Sequence, residues 1–287
     1  MHLILMTIER KKDKYGKIMR HRSGALLRKT AVIILWLLVW QLLSFLIGSE
    51  LLLPSPWAVV QSFCRLAQTT EFYRSILHTL LRVAAGFAAG MSAGALAGAL
   101  TAFSGAADVL LTPIKNIIKA TPVTSFIVLI LLYLSSDVAP SAVAFLAVLP
   151  ICWSNVCEGL RQTDKKMTEL AHVYAFGRKK TIREIYFPTV RPYLSAAATT
   201  GLGFAWKSCV AAEVIALSKN SVGRALYESK LYLETAELFA WTASVVLISV
   251  LFEKILVHKL LKNKNTEGAA ELQYKFDAYD EHGRDEE

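Results

Sequence analysis

Two ionisable residues interrupt an otherwise apolar stretch of the chain at residues 194–217. They are Lys207 and Glu213, and no other charged residue lies in this stretch. A charged side chain near the centre of a bilayer costs about 2.5–3.5 kcal/mol, so such residues normally face protein or water. The two lie roughly 240° apart around a helix, which disfavours a direct pair. They could line a translocation path in which Lys207 attracts an anion, or they could make structural contacts with a neighbouring helix or a second copy.

A second candidate site is the polar, basic segment ELAHVYAFGRKKTIREIYFP at residues 169–188, which lies between two apolar segments. On a helix, Ala171 and Ala175 would share one face, and a carboxylate at Glu169 would favour the positive N-terminal end. Gly177 would end this helix, because glycine tolerates the left-handed conformation, and Pro188 would break the next element. We expect the bare alanine face to seat against a cytoplasmic protein.

Apolar runs long enough to cross a bilayer recur along the 287 residues, 54% of which are hydrophobic. A helix of roughly 18 or more apolar residues spans the hydrocarbon core, and lipid offers no partner for an unpaired backbone group. The sequence therefore predicts an all-α membrane protein with about six transmembrane helices. They are expected at about residues 31–48, 80–103, 121–134, 140–156, 194–217 and 236–260.

The charge distribution predicts the orientation of these spans. Lysine and arginine concentrate in residues 1–29 and in the loop 158–193, and the formal net charge is +9. The positive-inside rule then places both segments in the cytoplasm, and six crossings return the C-terminus to the same side. No basic groove interleaved with aromatic residues is visible, so nucleic acid is not an expected partner.

The same patterns predict a domain organisation. Residues 1–29 form a basic cytoplasmic tail, and residues 30–74 hold the first transmembrane helix and an external amphipathic segment that Ser55 and Pro56 start as cap and first residue. Residues 75–261 form the main transmembrane domain, with the cytoplasmic loop 158–193 inside it. Residues 262–287 are acidic, and a disordered tail is expected there.

A glycine recurs at every fourth residue of the second predicted span. On a helix these glycines form one bare stripe, the small-residue pattern that lets another helix approach closely. We interpret the stripe as a packing surface of a buried helix and not as a substrate site. It consists of Gly86, Gly90, Gly94 and Gly98.

The sequence lacks the patterns of an enzyme. There is no glycine-rich phosphate loop ending in Gly-Lys-Ser/Thr, so this chain is not expected to hold ATP in a site of that kind. Its histidines are isolated, and its four cysteines show no paired metal spacing. We expect no catalytic residues, no metal and no cofactor in this chain.

The loop resembles the EAA loop of ABC importer permeases. Glu169, Ala171 and the pair Phe187-Pro188 stand at the spacing of that motif. Ala175 stands where the family has glycine, and the turn is expected to be displaced to Gly177. The segments LPSPWAVVQSF, HTLLRVAAGFAAG, KATPVTSF and GLGFAWKSCVAAEVIA are similar to the sulfonate, nitrate and taurine subgroup.

This resemblance implies the MetI-like fold of type I importer permeases in a bacterial plasma membrane. It also implies a homodimer, two separate ATP-binding subunits that use ATP, and an extracytoplasmic solute-binding protein. The loop would be the coupling helix, and Thr121 and Pro122 of KATPVTSF would border the translocation path. The expected solute is a small anion such as a sulfonate, nitrate or taurine, although relatives could also carry neutral heterocycles. A stand-alone secondary carrier or membrane scaffold is the alternative, and it leaves the patterned loop unexplained.

Overall fold

A computed structural model describes residues 30–252 together with Arg28 and Lys254. This part of the chain is helical and contains no strand, in agreement with the predicted all-α membrane fold. The predicted tails, apart from Arg28, lie outside the described residues. The helices are Thr30–Ile47 (α1), Pro56–Leu66 (α2), Thr70–Phe103 (α3), Gly105–Ala120 (α4), Val123–Leu131 (α5), Ala139–Arg161 (α6), Lys165–Val173 (α7), Arg178–Thr181 (α8), Phe187–Ala216 (α9), Val222–Leu231 (α10) and Thr235–Phe252 (α11), with a π-helical turn at Ile182–Tyr186 between α8 and α9.

Most of the predicted spans correspond to helices of sufficient length and apolar composition. By these two criteria alone, α1, α3, α6 and α11 could each cross a membrane, and the bent pair α4–α5 adds a fifth crossing if it counts as one span. The fifth predicted span lies inside α9, whose 30 residues extend about 45 Å. Helix α9 is thus long enough to cross a membrane, although its small and polar residues make it less apolar than the other candidate spans.

The core of the protein is formed by α3, α6 and α9. Val83 of α3, Val148 of α6 and Trp206 of α9 belong to one buried cluster. A second cluster lies nearer the α7 end of the bundle, where Cys152 and Val156 of α6 contact Val190 and Ala197 of α9. These three helices run between the two ends of the bundle, so they can carry a displacement from one end to the other.

The glycine stripe of α3 faces α6 in the structure. A Cβ on Gly94 would lie 2.7 Å from the carbonyl oxygen of Leu149, and a Cβ on Gly98 would lie 2.7 Å from that of Trp153. Gly90 and Gly86 approach α6 as closely, at Phe145 and Ser141 respectively. Because real side chains essentially never come so close to backbone, the two helices can adopt this separation only with glycine at these positions.

The end of the external amphipathic segment was predicted incorrectly. Ser55 caps α2 as expected, and its hydroxyl accepts the N–H of Ala58 at 3.2 Å. Helix α2 nevertheless ends at Leu66, and α3 begins at Thr70, ten residues before the predicted start of the second span. Thr69 causes this early start, because its hydroxyl accepts the N–H of Phe72 and so satisfies an otherwise unpaired helix-end donor.

The segment between the second and third predicted spans is a helix of 16 residues, α4. Ser104 caps it by accepting the N–H of Ala107. The axes of α4 and α5 meet at an angle of 101°, and the bend lies at Thr121 and Pro122. Proline holds Thr121 in an extended conformation, which explains why one apolar segment becomes two helices.

Candidate functional site

The first separate helix of the predicted cytoplasmic loop is α7, and it starts earlier than the sequence suggested. Asp164 caps the helix, because its carboxylate accepts the N–H of Lys166 at 2.9 Å. Glu169 therefore lies in the middle of α7 and is exposed, whereas the sequence suggested a place in the first turn. Its carboxylate is too far from the N-terminus for a strong interaction with the helix dipole, which decays within the first turn.

The predicted bare alanine face does not exist in the structure. Ala171 is buried, whereas Ala175 is exposed and lies beyond the last residue of α7, Val173. The two alanines thus have different surroundings and do not form one face. The prediction failed because it continued the helix through Ala175.

The turn after α7 is formed at Ala175 and is not displaced to Gly177. Ala175 has a left-handed backbone with φ of +51°, whereas Gly177 has φ of −65° and begins α8. The N–H of Phe176 donates to the carbonyl of Ala171 at 2.8 Å, and the N–H of Ala175 donates to that of His172 at 3.0 Å. These two bonds form a Schellman motif, which normally has glycine at the left-handed residue.

Replacing Ala175 by glycine is expected to stabilise this turn by about 0.5–1 kcal/mol. Alanine in the left-handed region is strained by about 1–2 kcal/mol, and the larger backbone entropy of glycine offsets part of that gain. Slower hydrogen exchange of the Phe176 amide measures the effect. Gly177→Ala is the matched control and should change little, since φ is −65° and a Cβ there has nothing within 4 Å. A large loss of stability in the control would place the turn at Gly177 after all.

Pro188 lies inside a continuous helical segment and does not break it. The chain runs from α8 through the π-helical turn into α9, and Pro188 is in the first turn of α9. In the π turn, the N–H of Phe187 donates to the carbonyl of Ile182, five residues earlier. Such a turn accommodates a proline, which lacks an N–H and clashes with the carbonyl four residues before it.

An exposed apolar stripe is the main surface feature of α7. The stripe follows helical spacing, with side chains three or four residues apart, and continues into the residue after the helix. The exposed fraction of the Val173 side chain is 78%. We call this surface the coupling stripe, and it consists of Met167, Leu170, Val173 and Tyr174.

Lys207 lies on an exposed face of α9 and lines a groove of about 320 Å³ with Thr199, Thr200 and Ser249. A neighbouring groove of about 250 Å³ is lined by Thr121 and other residues of α4, α5 and α6. The two grooves share Thr200 and Phe204. The structure thereby brings two of the predicted path residues, Lys207 and Thr121, to adjoining grooves, and exposed Pro122 lies at the α4–α5 bend beside them.

Glu213 is completely buried and has three partners. Its carboxylate accepts hydrogen bonds from the Arg82 guanidinium at 3.0 Å, the Thr79 hydroxyl at 2.9 Å and the N–H of Gly223 at 3.2 Å. It does not line either of the two grooves that hold Lys207 and Thr121. Glu213 therefore does not line the predicted path in this structure. It makes the structural contact with a neighbouring helix that was the alternative prediction.

Sequence reasoning did not single out the other members of this cluster. Arg82 also donates to the Asp137 carboxylate at 3.2 Å and to the backbone carbonyls of Asp137 at 3.1 Å and Lys219 at 2.9 Å. An arginine close to the start of an apolar span was the available signal, because an intramembrane charge needs a partner. We call Arg82, Asp137 and Glu213 the clasp.

Comparison with known proteins gives related permeases over most of the chain. It is 28% identical over 234 residues to a permease named for aliphatic sulfonates transport, SsuC of Bacillus subtilis (79% of this chain, 84% of that protein). It is 30% identical over 203 residues to SsuC of Escherichia coli, also named for aliphatic sulfonates transport (69% and 75%). It is 27% identical over 205 residues to the nitrate import permease NrtB of Synechocystis sp. (67% and 73%).

A family model also matches the chain. Its description is "binding-protein-dependent transport system inner membrane component", and it matches residues 90–258, more than half of the protein. The match includes α7, the coupling stripe and α9. The protein therefore belongs to this family, and it is a multi-pass permease subunit of a type I ABC importer, not an enzyme, with its ATPase on a separate subunit.

Proposed function

We propose that this chain forms the translocation path for a small anion and couples it to ATP hydrolysis by the partner ATPase through α7. The observation that carries the proposal is the coupling stripe, an exposed apolar surface in an otherwise basic loop. Monomeric proteins rarely expose contiguous apolar surface without a binding role. An amphipathic helix that lays its apolar face in a groove of a partner is a common mode of recognition.

The position of the stripe supports the coupling role. Helix α7 follows directly on α6, and the loop returns to the core through α9. Arg161 at the end of α6 pairs with Asp108 of α4 at 2.7 Å, and the rings of Phe103 and Tyr186 are in contact at 5.2 Å. A displacement of α7 would therefore reach α4, α6 and α9 together. These contacts would transmit a displacement of α7 to the core, and the conformational balance would shift because the nucleotide binds one state of the ATPase better than the other.

The grooves along α9 support a path for an anion. Lys207 faces a groove that also contains hydroxyl groups, and within residues 30–252 no carboxylate pairs with it. A lysine in this apolar helix needs water or protein around it, and a water-filled path meets that need. A second copy of the chain packed on the exposed face of α9 would enclose the grooves, which favours a homodimer.

The orientation follows from the same assignment. If α7 meets the ATPase, the α7 end of the bundle is cytoplasmic, as the positive-inside rule predicts. Both termini then lie in the cytoplasm of the bacterium, and α2 and α10 lie on the side of the solute-binding protein. The proposed organisation is a core domain of residues 75–261 with an N-terminal tail, a first transmembrane helix and an acidic C-terminal tail.

ATP-driven uptake in proteoliposomes tests the proposal. The permease is reconstituted with its ATPase and its solute-binding protein, and uptake of an aliphatic sulfonate, taurine and nitrate is measured with and without ATP. We expect uptake only with ATP and with both partners present. Uptake that needs neither partner would contradict the proposal and favour a stand-alone carrier.

Replacing Lys207 by glutamine is expected to lower kcat/KM for anion uptake by about tenfold. A single charge-assisted hydrogen bond contributes about 1.5–3 kcal/mol, and exposure of the groove to water reduces this contribution. Lys207→Arg, which keeps the positive charge, is the matched control and should retain most of the activity. Equal activity of the glutamine variant, with equal amounts of protein in the membrane, would show that Lys207 does not contact the anion.

A further inference from the structure

The clasp joins three separate parts of the chain at the end of the bundle opposite α7. Arg82 belongs to α3, Asp137 to the turn before α6, and Glu213 to the last turn of α9. The segment after α9 is bound as well, because the Arg82 guanidinium donates to the carbonyl of Lys219 and the Asp137 carboxylate accepts the N–H of Lys219 at 2.9 Å. One guanidinium therefore links the three core helices. Arg82 lies about three turns into α3, and its partners lie just before the start of α6 and in the last turn of α9.

Hydrogen bonds satisfy the clasp almost completely. Arg82 donates four hydrogen bonds, and only 12% of its side chain is exposed, while the Glu213 side chain is 0% exposed. The hydroxyl of Thr79 donates to Glu213 and accepts the N–H of Val222 at 3.1 Å, so α10 is attached to the same point. A charged network of this kind holds one geometry, because any displacement leaves a buried charge without its partner.

Helix α7 lies outside the clasp, at the opposite end of the bundle. Helix α5, which diverges from α4 by 101°, packs on the clasp side, because its buried Ile127 contacts Val143 of α6 and Ala212 of α9. The clasp thus belongs to a packed unit of α3, α5, α6 and α9, whereas the helix proposed to receive the ATPase is separate from it.

We propose that Arg82 is a positioning residue of the transport cycle. It holds α3 to the start of α6 and the end of α9 on the side opposite α7, so that a displacement imposed at α7 moves the path and is not absorbed by sliding between these helices. The inference rests on the proposed function, since it assumes that the ATPase acts at α7. A role in folding alone would leave the ratio of uptake to ATP hydrolysis unchanged.

The test uses the paired substitution Arg82→Gln with Glu213→Gln in the full complex. Removing Arg82 alone would leave a buried carboxylate without its partner, which destabilises proteins strongly. The double variant removes both charges and keeps polar groups for Thr79 and Gly223. Asp137→Asn is a second, milder variant, because 44% of the Asp137 side chain is exposed to water. Elution as a single species with bound ATPase identifies the folded variants.

Two measurements are made on each variant. Hydrogen exchange at residues 136–138 and 219–223 should accelerate by about a hundredfold in the double variant, because a buried pair of this type dominates local opening. The ratio of solute taken up to ATP hydrolysed should fall by about tenfold, while ATPase binding stays unchanged. Asp137→Asn should also accelerate exchange and lower the uptake ratio, each by a smaller factor than in the double variant.

The chain offers a matched control on α10. Arg224 and Glu228 form an ion pair at 2.7 Å, with 43% and 45% of their side chains exposed. The hydrogen bond to Glu228 raises the pKa of the Arg224 guanidinium. Exposed pairs of this kind contribute little. Arg224→Gln with Glu228→Gln should therefore leave exchange at residues 136–138 unchanged.

Two results would overturn the inference. Unchanged exchange at residues 136–138 and 219–223 would show that the clasp does not hold these helix ends. Faster exchange with an unchanged uptake ratio would show that it serves stability alone. In both cases the wild-type complex still transports, so the proposed function stands. If the wild-type complex shows no ATP-driven uptake, the proposed function fails and the inference fails with it.

Discussion

Replacing both Leu170 and Val173 of the coupling stripe by aspartate is expected to abolish ATP-driven uptake and to leave the permease folded. These side chains are 49% and 78% exposed, so the permease itself loses little buried apolar surface. In a partner's apolar groove, by contrast, each carboxylate would have to be desolvated without a counter-charge. Central apolar residues of an interface often contribute 2 kcal/mol or more, so affinity for the ATPase should fall by about a hundredfold or more.

Co-purification of the ATPase and uptake in proteoliposomes measure this effect. Leu231→Asp on α10 is the control, because Leu231 is similarly exposed (60%) but lies at the opposite end of the bundle. The control should bind the ATPase like the wild type. Normal ATPase binding by the doubly substituted α7 would show that the coupling stripe is not the contact surface.

The largest expected loss of stability comes from Gly94→Leu in the glycine stripe. A Cβ at this position would lie 2.7 Å from the carbonyl oxygen of Leu149 and 2.8 Å from the Cβ of Cys152. Neither atom can rotate away, so α3 and α6 must separate and lose contact along their shared surface. Overpacking usually costs about 1–3 kcal/mol, and a backbone clash on a main helix pair should reach about 3 kcal/mol or more.

Thermal unfolding in detergent and the yield of single-species protein measure this loss. Gly105→Leu is the matched control, because the same side chain is added at the start of α4, where nothing lies within 4 Å of the new Cβ. The control should unfold near the wild-type temperature. If Gly94→Leu unfolds at that temperature too, the close approach of α3 and α6 does not determine stability.

Local signals in the sequence predicted much of this structure. Ser55 and Pro56 start α2 because a cap and a first-turn proline act on their nearest neighbours. The glycine stripe identified the packing face of α3, since its spacing depends only on helix geometry. The α7 loop was located by composition and resemblance, although its helix starts at Lys165 and not near Glu169. The starts of α3 and α7 were predicted wrongly because Thr69 and Asp164 act as their N-caps.

Other features depend on contacts that local sequence does not encode. Pro188 was expected to break a helix, but the π-helical turn before it relieves the clash and the helix continues into α9. Ala175 adopts a left-handed backbone without being glycine, because the two Schellman hydrogen bonds and the buried Ala171 hold the turn there. In both cases the backbone hydrogen bonds of neighbouring residues outweigh the preference of a single residue.

The sequence by itself determined the fold class, the family and the positions of most helices, because hydropathy, caps and small-residue spacing act over a few neighbouring residues. Only the tertiary structure decided what the buried charges do. Arg82 and Glu213 are 131 residues apart in the chain, and no local pattern links them. Packing of α3 against α6 and α9 brings them to 3.0 Å and buries Glu213, whereas Lys207, six residues earlier in the same helix, stays exposed. A buried ion therefore shows its role only when its partner is known.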